Sequence, residues 1–309
     1  MKADKLQEYC VRGSIHTIKI DSPDSVIPKQ DTDGAIRGCI KECYVKKHKS
    51  DGEVEEVTKI KVNPNDKAGT ILAYSEFLKT MQEIQEAAGI TDFEYQRVDM
   101  AFDSFGKNFY HRFAKLHRYL VTCLAELTSA NNVYCTVDLL TNEQVSVAFK
   151  TRGCEAECYD KAHEMNEAGD HSRLELRLKE MGKRDHSIDM AELFVREWAN
   201  RLEKAISKAN TWQAQLHCND ALERIYTSNK DAFPVRFRSL TDFLIYYQDC
   251  IYSKRQMIDL LSRFADEVSN PVYRAEWHKK HYGIEYFSQK DLRYVVAEIK
   301  RAMSVYFNN

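Results

Sequence analysis

The sequence contains no run near the ~20 consecutive apolar residues that a membrane-crossing helix requires. Its opening, MKADKLQEYCVRG, lacks an apolar signal core, so a cytoplasmic location is expected. Glycine (11) and proline (5) are scarce among 309 residues, which excludes collagen-like and linker-rich chains. Neither sign of charge dominates. Against 47 Asp and Glu stand 45 Lys and Arg, a net charge of −2, so the molecule as a whole does not carry the charge of a nucleic-acid binder. The nine cysteines form no disulfide framework, and reduced thiols are expected. Cys39 and Cys43 are four apart, as are Cys154 and Cys158, without the two-residue gap of a zinc ribbon.

What is present is a folded composition, 43% apolar and 30% charged, long enough for one large or two ordinary domains. Through residue 185 the pattern is mostly of period two. SIHTIKI, CIKECYVKKH, EVTKIKV, FEYQRVDMAFD, NVYCTVDLL, QVSVAFK, EAECYDK and HSRLELRLKE read as strands, and Asp51-Gly52 marks a hairpin. YSEFLKTMQEIQEAAG and KNFYHRFAKLHRYLVTCLAEL carry helical spacing, and Gly89 suits a C-terminal cap. From Ser187, an expected N-cap, helical spacing persists to the end, with a Ser288/Asp291 capping box before the last helix. The fold class expected is α+β: an antiparallel sheet domain with packed helices over residues 1–185, then a mainly helical region over 186–309. Charge follows this division: residues 186–309 hold 18 Lys and Arg against 16 acids, and the front holds 27 against 31. A local DNA footprint is therefore permitted.

Three strands share a peculiarity. In RVDMAFD, Arg97, Asp99 and Asp103 oppose Val98, Met100 and Phe102; in EAECYDK, Glu155, Glu157, Tyr159 and Lys161 oppose Ala156 and Cys158. In RLELRLK, Arg173, Glu175, Arg177 and Lys179 oppose three leucines. A solvated sheet face with cross-strand ion pairs accounts for this pattern. A sharper reading is a phosphoryl-transfer site. Carboxylates suit Mg²⁺ or Mn²⁺. A tyrosine attacks a phosphodiester when cations stabilise its oxyanion, and Lys161 and Arg173 would neutralise the remaining charge.

RVDMAFD, ECYDKAHE and RLELRLKE, in this order and spacing, resemble the rolling-circle replication initiators of Gram-positive plasmids and related mobile elements. In that family an alternating strand with Tyr-Asn/Asp-Lys, then a nearby Glu, precedes an Arg-x-Glu strand. Here the pattern falls on Tyr159, Asp160, Lys161 and Glu164, then on Arg173 and Glu175, over roughly residues 90–180. The family's basic residue two positions before the tyrosine is Glu157 here. The resemblance implies a divalent metal, Mg²⁺ or Mn²⁺, held by acids near Tyr159. Strand facing favours Asp99 and Glu175 as its ligands, with Asp103 and Glu164 next. No His-hydrophobic-His segment is present, and HKKH (278–281) has the wrong order for the histidine cluster of other nickases.

Two segments are candidates for contact with DNA. Lys107, His111, Lys115 and Arg118 recur on one face of a helix, which reads either as a solvated face or as a phosphate-contacting one. In VYRAEWHKKHYG, Arg274, Lys279 and Lys280 interleave with aromatics, which can hold a DNA backbone or lie over a packed helix. The expectation is a nickase and strand transferase that starts rolling-circle replication through a 5′-phosphotyrosine, acting on double-stranded origin DNA. The resemblance also implies a homodimer and a host helicase as partners. A conjugative relaxase and a non-catalytic DNA-binding regulator are the alternatives.

Overall fold

A computed structural model of the chain describes residues 11–24, 34–50, 53–105, 109–130, 133–137, 144–166, 171–181, 189–209, 212–230 and 237–309. Its elements follow in chain order. β1 (Arg12–Ser22), α1 (Gly34–Cys39), β2 (Ile40–Ser50), β3 (Glu53–Val62), α2 (Tyr74–Ala88), β4 (Glu94–Phe105) and α3 (Phe109–Leu127) come first. Then come β5 (Val133–Val137), β6 (Gln144–Lys150), β7 (Cys154–Asp160), α4 (Lys161–Met165) and β8 (His171–Lys179). α5 (Met190–Leu193) and α6 (Asn200–Ala209) are joined by a π-helical turn, and α7 (Gln213–Lys230), α8 (Leu240–Tyr246), α9 (Lys254–Ser262), α10 (Pro271–Tyr282) and α11 (Gln289–Phe307) complete the chain.

The strands form one eight-stranded antiparallel sheet in the order β2-β3-β1-β4-β8-β7-β6-β5. Local chemistry explains the element ends. Gly89 takes φ 68°, where a side chain would be strained, and closes α2. Ser288 and Asp291 cap α11 reciprocally, as their spacing predicts. Asp51 and Gly52 lie outside the described residues, but β2 and β3 pair on either side of them with Ser50 opposite Glu53. Ser187 is also outside them; the described helix begins at Met190, where Asp189 accepts a hydrogen bond from the Ala191 amide.

The apolar faces of β4 and β8 (Val98, Met100, Phe102; Leu174, Leu176, Leu178) are fully buried with Leu120 and Leu124 of α3 and Val295 and Ile299 of α11 in one core. That core runs from Val11 to Tyr306, so it crosses the change from strands to helices near residue 185. A second, smaller core holds residues of α7 to α10 and of the segments that join them, among them Phe243, Leu260 and Ala275. No described helix is long and apolar enough to cross a membrane.

Sheet and helix approach closely at Gly13. A Cβ there would sit 2.7 Å from Met303 Sδ and 3.2 Å from the α11 backbone. Gly13→Val should therefore force α11 off β1 and destabilise the protein by about 1–3 kcal/mol, read as a lowered urea midpoint. An unchanged midpoint would show that α11 is not seated there.

Candidate active site on the polar face of the sheet

Register brings the ionisable side chains together. Tyr159 lies opposite Arg173, Glu157 opposite Glu175, Asp103 opposite Arg173 and Ala101 opposite Glu175. Five carboxylates therefore share the central strands, and guanidinium groups are laid between them. Arg97 grips Asp99 through Nε (2.6 Å) and Nη2 (2.7 Å). Arg173 does the same to Asp103 at 2.6 and 2.8 Å, and His171 Nε2 adds a 2.8 Å bond to the same carboxylate. Arg177 bonds Glu175 and Glu155 and lies 2.9 Å from Glu157; Lys179 lies 2.8 Å from Glu155.

This is not a solvated face. Asp99 and Asp103 are each 1% exposed, and Glu155 and Glu175 each 4%. Their ionisation follows from the partners. Burial would raise the Asp103 carboxyl, but the bonds from His171 and Arg173 outweigh it and bring it below the usual range. Glu155 falls to about 2, burial being outweighed by Lys179 and Arg177. For Asp99 burial wins over Arg97, and its carboxyl is raised.

Tyr159 is half-buried and donates its hydroxyl to Glu175 Oε1 at 2.7 Å. Burial first and the Glu175 charge second push its phenol well above the usual value, while Arg173 pulls the other way. Glu175 stays ionised: burial is outweighed by Arg177 and then by His16, Tyr159 and Arg173. Arg173 Nη1 is 3.7 Å from the same Oε1, so phenol and guanidinium flank one carboxylate oxygen. Strand β7 ends at Asp160, which caps α4 by accepting from the His163 amide. Lys161 therefore opens a helix rather than continuing the strand. Its Nζ lies 5.8 Å from the Tyr159 ring and 2.5 Å from Glu164, which is more than half exposed.

The expected metal ligands do not converge. Asp99 and Asp103 are four residues apart on one strand, about 13 Å, whereas ligands of one Mg²⁺ sit ~2 Å from it. Asp99, Asp103 and Glu175 are each held by an arginine, and Glu164 is paired with Lys161 on α4. Among the described residues no group of three or more His, Cys, Asp or Glu side chains is arranged to hold a metal ion. The donor set does not fit the divalent-cation centre that the resemblance implies.

The basic face expected on α3 is also corrected. Lys107 lies outside the described residues, as does the side chain of His111. Lys115 and Arg118 are 5% and 2% exposed, because the C-terminal half covers the stripe that helical spacing leaves polar. Lys115 Nζ donates to the Glu285 carbonyl at 2.5 Å, and Arg118 bonds Asp249. On α10, Arg274 stacks 4.1 Å over Trp277 and donates to Thr241, a packing role. Lys279 and Lys280 are exposed in the last turn, where cations suit the helix end.

Two residues that reasoning from sequence passed over join the site. His171 has a signal, since period two places it on the face of Arg173. His16 has a subtler one. Ile15, Ile18 and Ile20 are all buried, a step of three then two, and β1 bulges between Ile15 and Thr17. The bulge turns both His16 and Thr17 to the polar side. Burial first and Arg173 next lower the His16 imidazole. No family model matches this chain, and no curated protein matches it significantly.

Two outcomes follow. Asp103→Asn should cost about 3 kcal/mol of stability, because Arg173, 8% exposed, loses its charged partner; a urea midpoint within error of wild type would refute the buried pair. Burial holds the Lys115 ammonium at about 8 against its ordinary 10.5. The unfolded chain then binds more protons between those values, so this residue's contribution rises with pH there and is constant below. The stability of wild type minus that of Lys115→Met should increase from about pH 8 to about pH 10. A flat difference would restore Lys115 to the surface.

Proposed function

We propose that the protein is a DNA strand transferase of the rolling-circle initiator kind, with Tyr159 as nucleophile. The observation that carries this reading is the Tyr159 hydroxyl bonded to an ionised, buried Glu175 with Arg173 beside it. Tyr159 Oη attacks the phosphorus, and its proton passes to Glu175. The P–O3′ bond breaks with its electron pair on the 3′ oxygen, which takes a proton from water and leaves as a hydroxyl. A 5′-phosphotyrosine remains, and the reverse sequence rejoins the strand. Arg173 and Lys161 bear on the charge that develops on the phosphoryl oxygens. The raised phenol keeps Tyr159 protonated until a phosphate arrives, so the free protein holds no standing phenolate.

Origin specificity, a homodimer and a recruited helicase belong to the same proposal through the resemblance alone. The rival is a DNA-binding regulator with an inert sheet. The arginine-held acids favour it, because every carboxylate of the face already has a cationic partner.

The test uses supercoiled DNA of the protein's own genetic element, with and without Mg²⁺. Relaxed DNA with protein attached supports the transferase; a mobility shift alone supports the regulator. Tyr159→Phe should eliminate the covalent adduct while losing only about 1 kcal/mol of stability, one hydrogen bond's worth. Mass spectrometry of the DNA-linked peptide identifies the attacking residue. An adduct on Tyr134, half exposed on β5, would overturn the assignment and leave the activity standing.

A further inference from the structure

In strand transfer the departing 3′ oxygen needs a proton, and the donor must stand opposite Tyr159 Oη, because attack and departure are in line. Glu175 does not serve, being bonded to the tyrosine hydroxyl. The basic side chains of the site that line the adjoining cleft include Lys161, Arg173, His171 and His16. Lys161 is paired with Glu164, and Arg173 and His171 are both held by Asp103. His16 is tied to no carboxylate. Its Nδ1 lies 2.9 Å from Thr17 Oγ1, and its Nε2 has no hydrogen-bond partner among the described residues.

Sheet order sets His16 against Tyr159. β1 and β7 stand on either side of β4 and β8, so their backbones are three strand spacings apart, about 14 Å. Tyr159 reaches inward from β7 to Glu175, and the bulge in β1 turns His16 to the same face. At that level β4 presents only the methyl of Ala101, in register with Ser14 on one side and Glu175 on the other. Glu175 and His16 accordingly feel each other's charge. A phosphodiester has room between the phenol on one side and the imidazole on the other.

We infer that His16 is the general acid for the leaving 3′ oxygen in nicking and the general base for the 3′ hydroxyl in rejoining. This role rests on the strand-transfer reading and adds a catalytic residue to it. In nicking, the Tyr159 Oη–P bond forms as the phenol proton passes to Glu175. The P–O3′ bond breaks, and its oxygen takes the Nε2 proton of the imidazolium, a proton otherwise drawn from water. In rejoining, neutral His16 takes that proton back from the hydroxyl, and Glu175 returns its own to the phenol oxygen. Thr17 suits both directions, since a hydroxyl donates to an unprotonated Nδ1 and accepts from a protonated one. In the free protein burial and Arg173 favour the neutral ring; a bound phosphate offsets Arg173 and favours the imidazolium.

The experiment removes the need for the acid as well as the acid itself. Once the DNA adduct has located the nicked bond, a strand is synthesised with sulfur in place of that 3′ oxygen. A thiol, with a pKa of about 8.5, departs without a proton, whereas an alcohol does not. His16→Gln should slow single-turnover nicking of the oxygen strand about 100-fold and leave nicking of the sulfur strand within about threefold of wild type. Activity on the sulfur strand also shows that the variant is folded. Equal slowing on both strands would make His16 a binding or structural residue and overturn its role as acid. A wild-type rate on the oxygen strand would overturn it too, and both results leave Tyr159 as the nucleophile. A wild-type protein that forms no adduct would overturn the strand-transfer reading and the role of His16 with it.

Discussion

Carboxylates crowded on one face of a sheet and shielded from water cannot remain ionised without cations between them. Here arginine forks meet both oxygens of Asp99 and of Asp103, and Arg177 reaches one oxygen each of Glu155, Glu157 and Glu175. Lysine could not do this, since an ammonium is a point charge. The forks bury the acids they neutralise, and so decide which polar atoms of the face remain available. Glu175 Oε1 receives the tyrosine hydroxyl because Arg177 occupies the other oxygen.

The same saturation separates two kinds of chemistry. A face of free carboxylates invites a divalent cation; one already compensated by guanidinium groups invites an anion at whichever donor is left over. The balance of the network is thus what the proposed phosphoryl-transfer reading draws on.

Much of this was legible in the sequence. Period two located the strands, period 3.6 located α2, α3 and α11, and the facing of Asp99, Tyr159, Arg173 and Glu175 was correct because alternation alone determines it. Pairing was not legible, since which arginine meets which acid depends on cross-strand register. Lys115 and Arg118 failed for a related reason: spacing puts them on one stripe of a helix, but nothing in spacing says what covers that stripe. The bulge at His16 hid behind an apparent alternation, although the three-residue step from Ile15 to Ile18 betrays it.

The seat of α11 on β1 has a consequence for how the molecule comes into being. β1 lies inside the sheet, between β3 and β4, and Gly13 meets Met303 near the other end of the sequence. A ribosome emits the strand long before it emits the helix that covers it. Until then the apolar side of β1, with Ile15, Ile18 and Ile20, lacks that cover, and contacts of such long sequence separation form slowly. The nascent sheet is thus exposed to aggregation for most of its synthesis, and the last helix acts as the latch on a structure begun by the first strand.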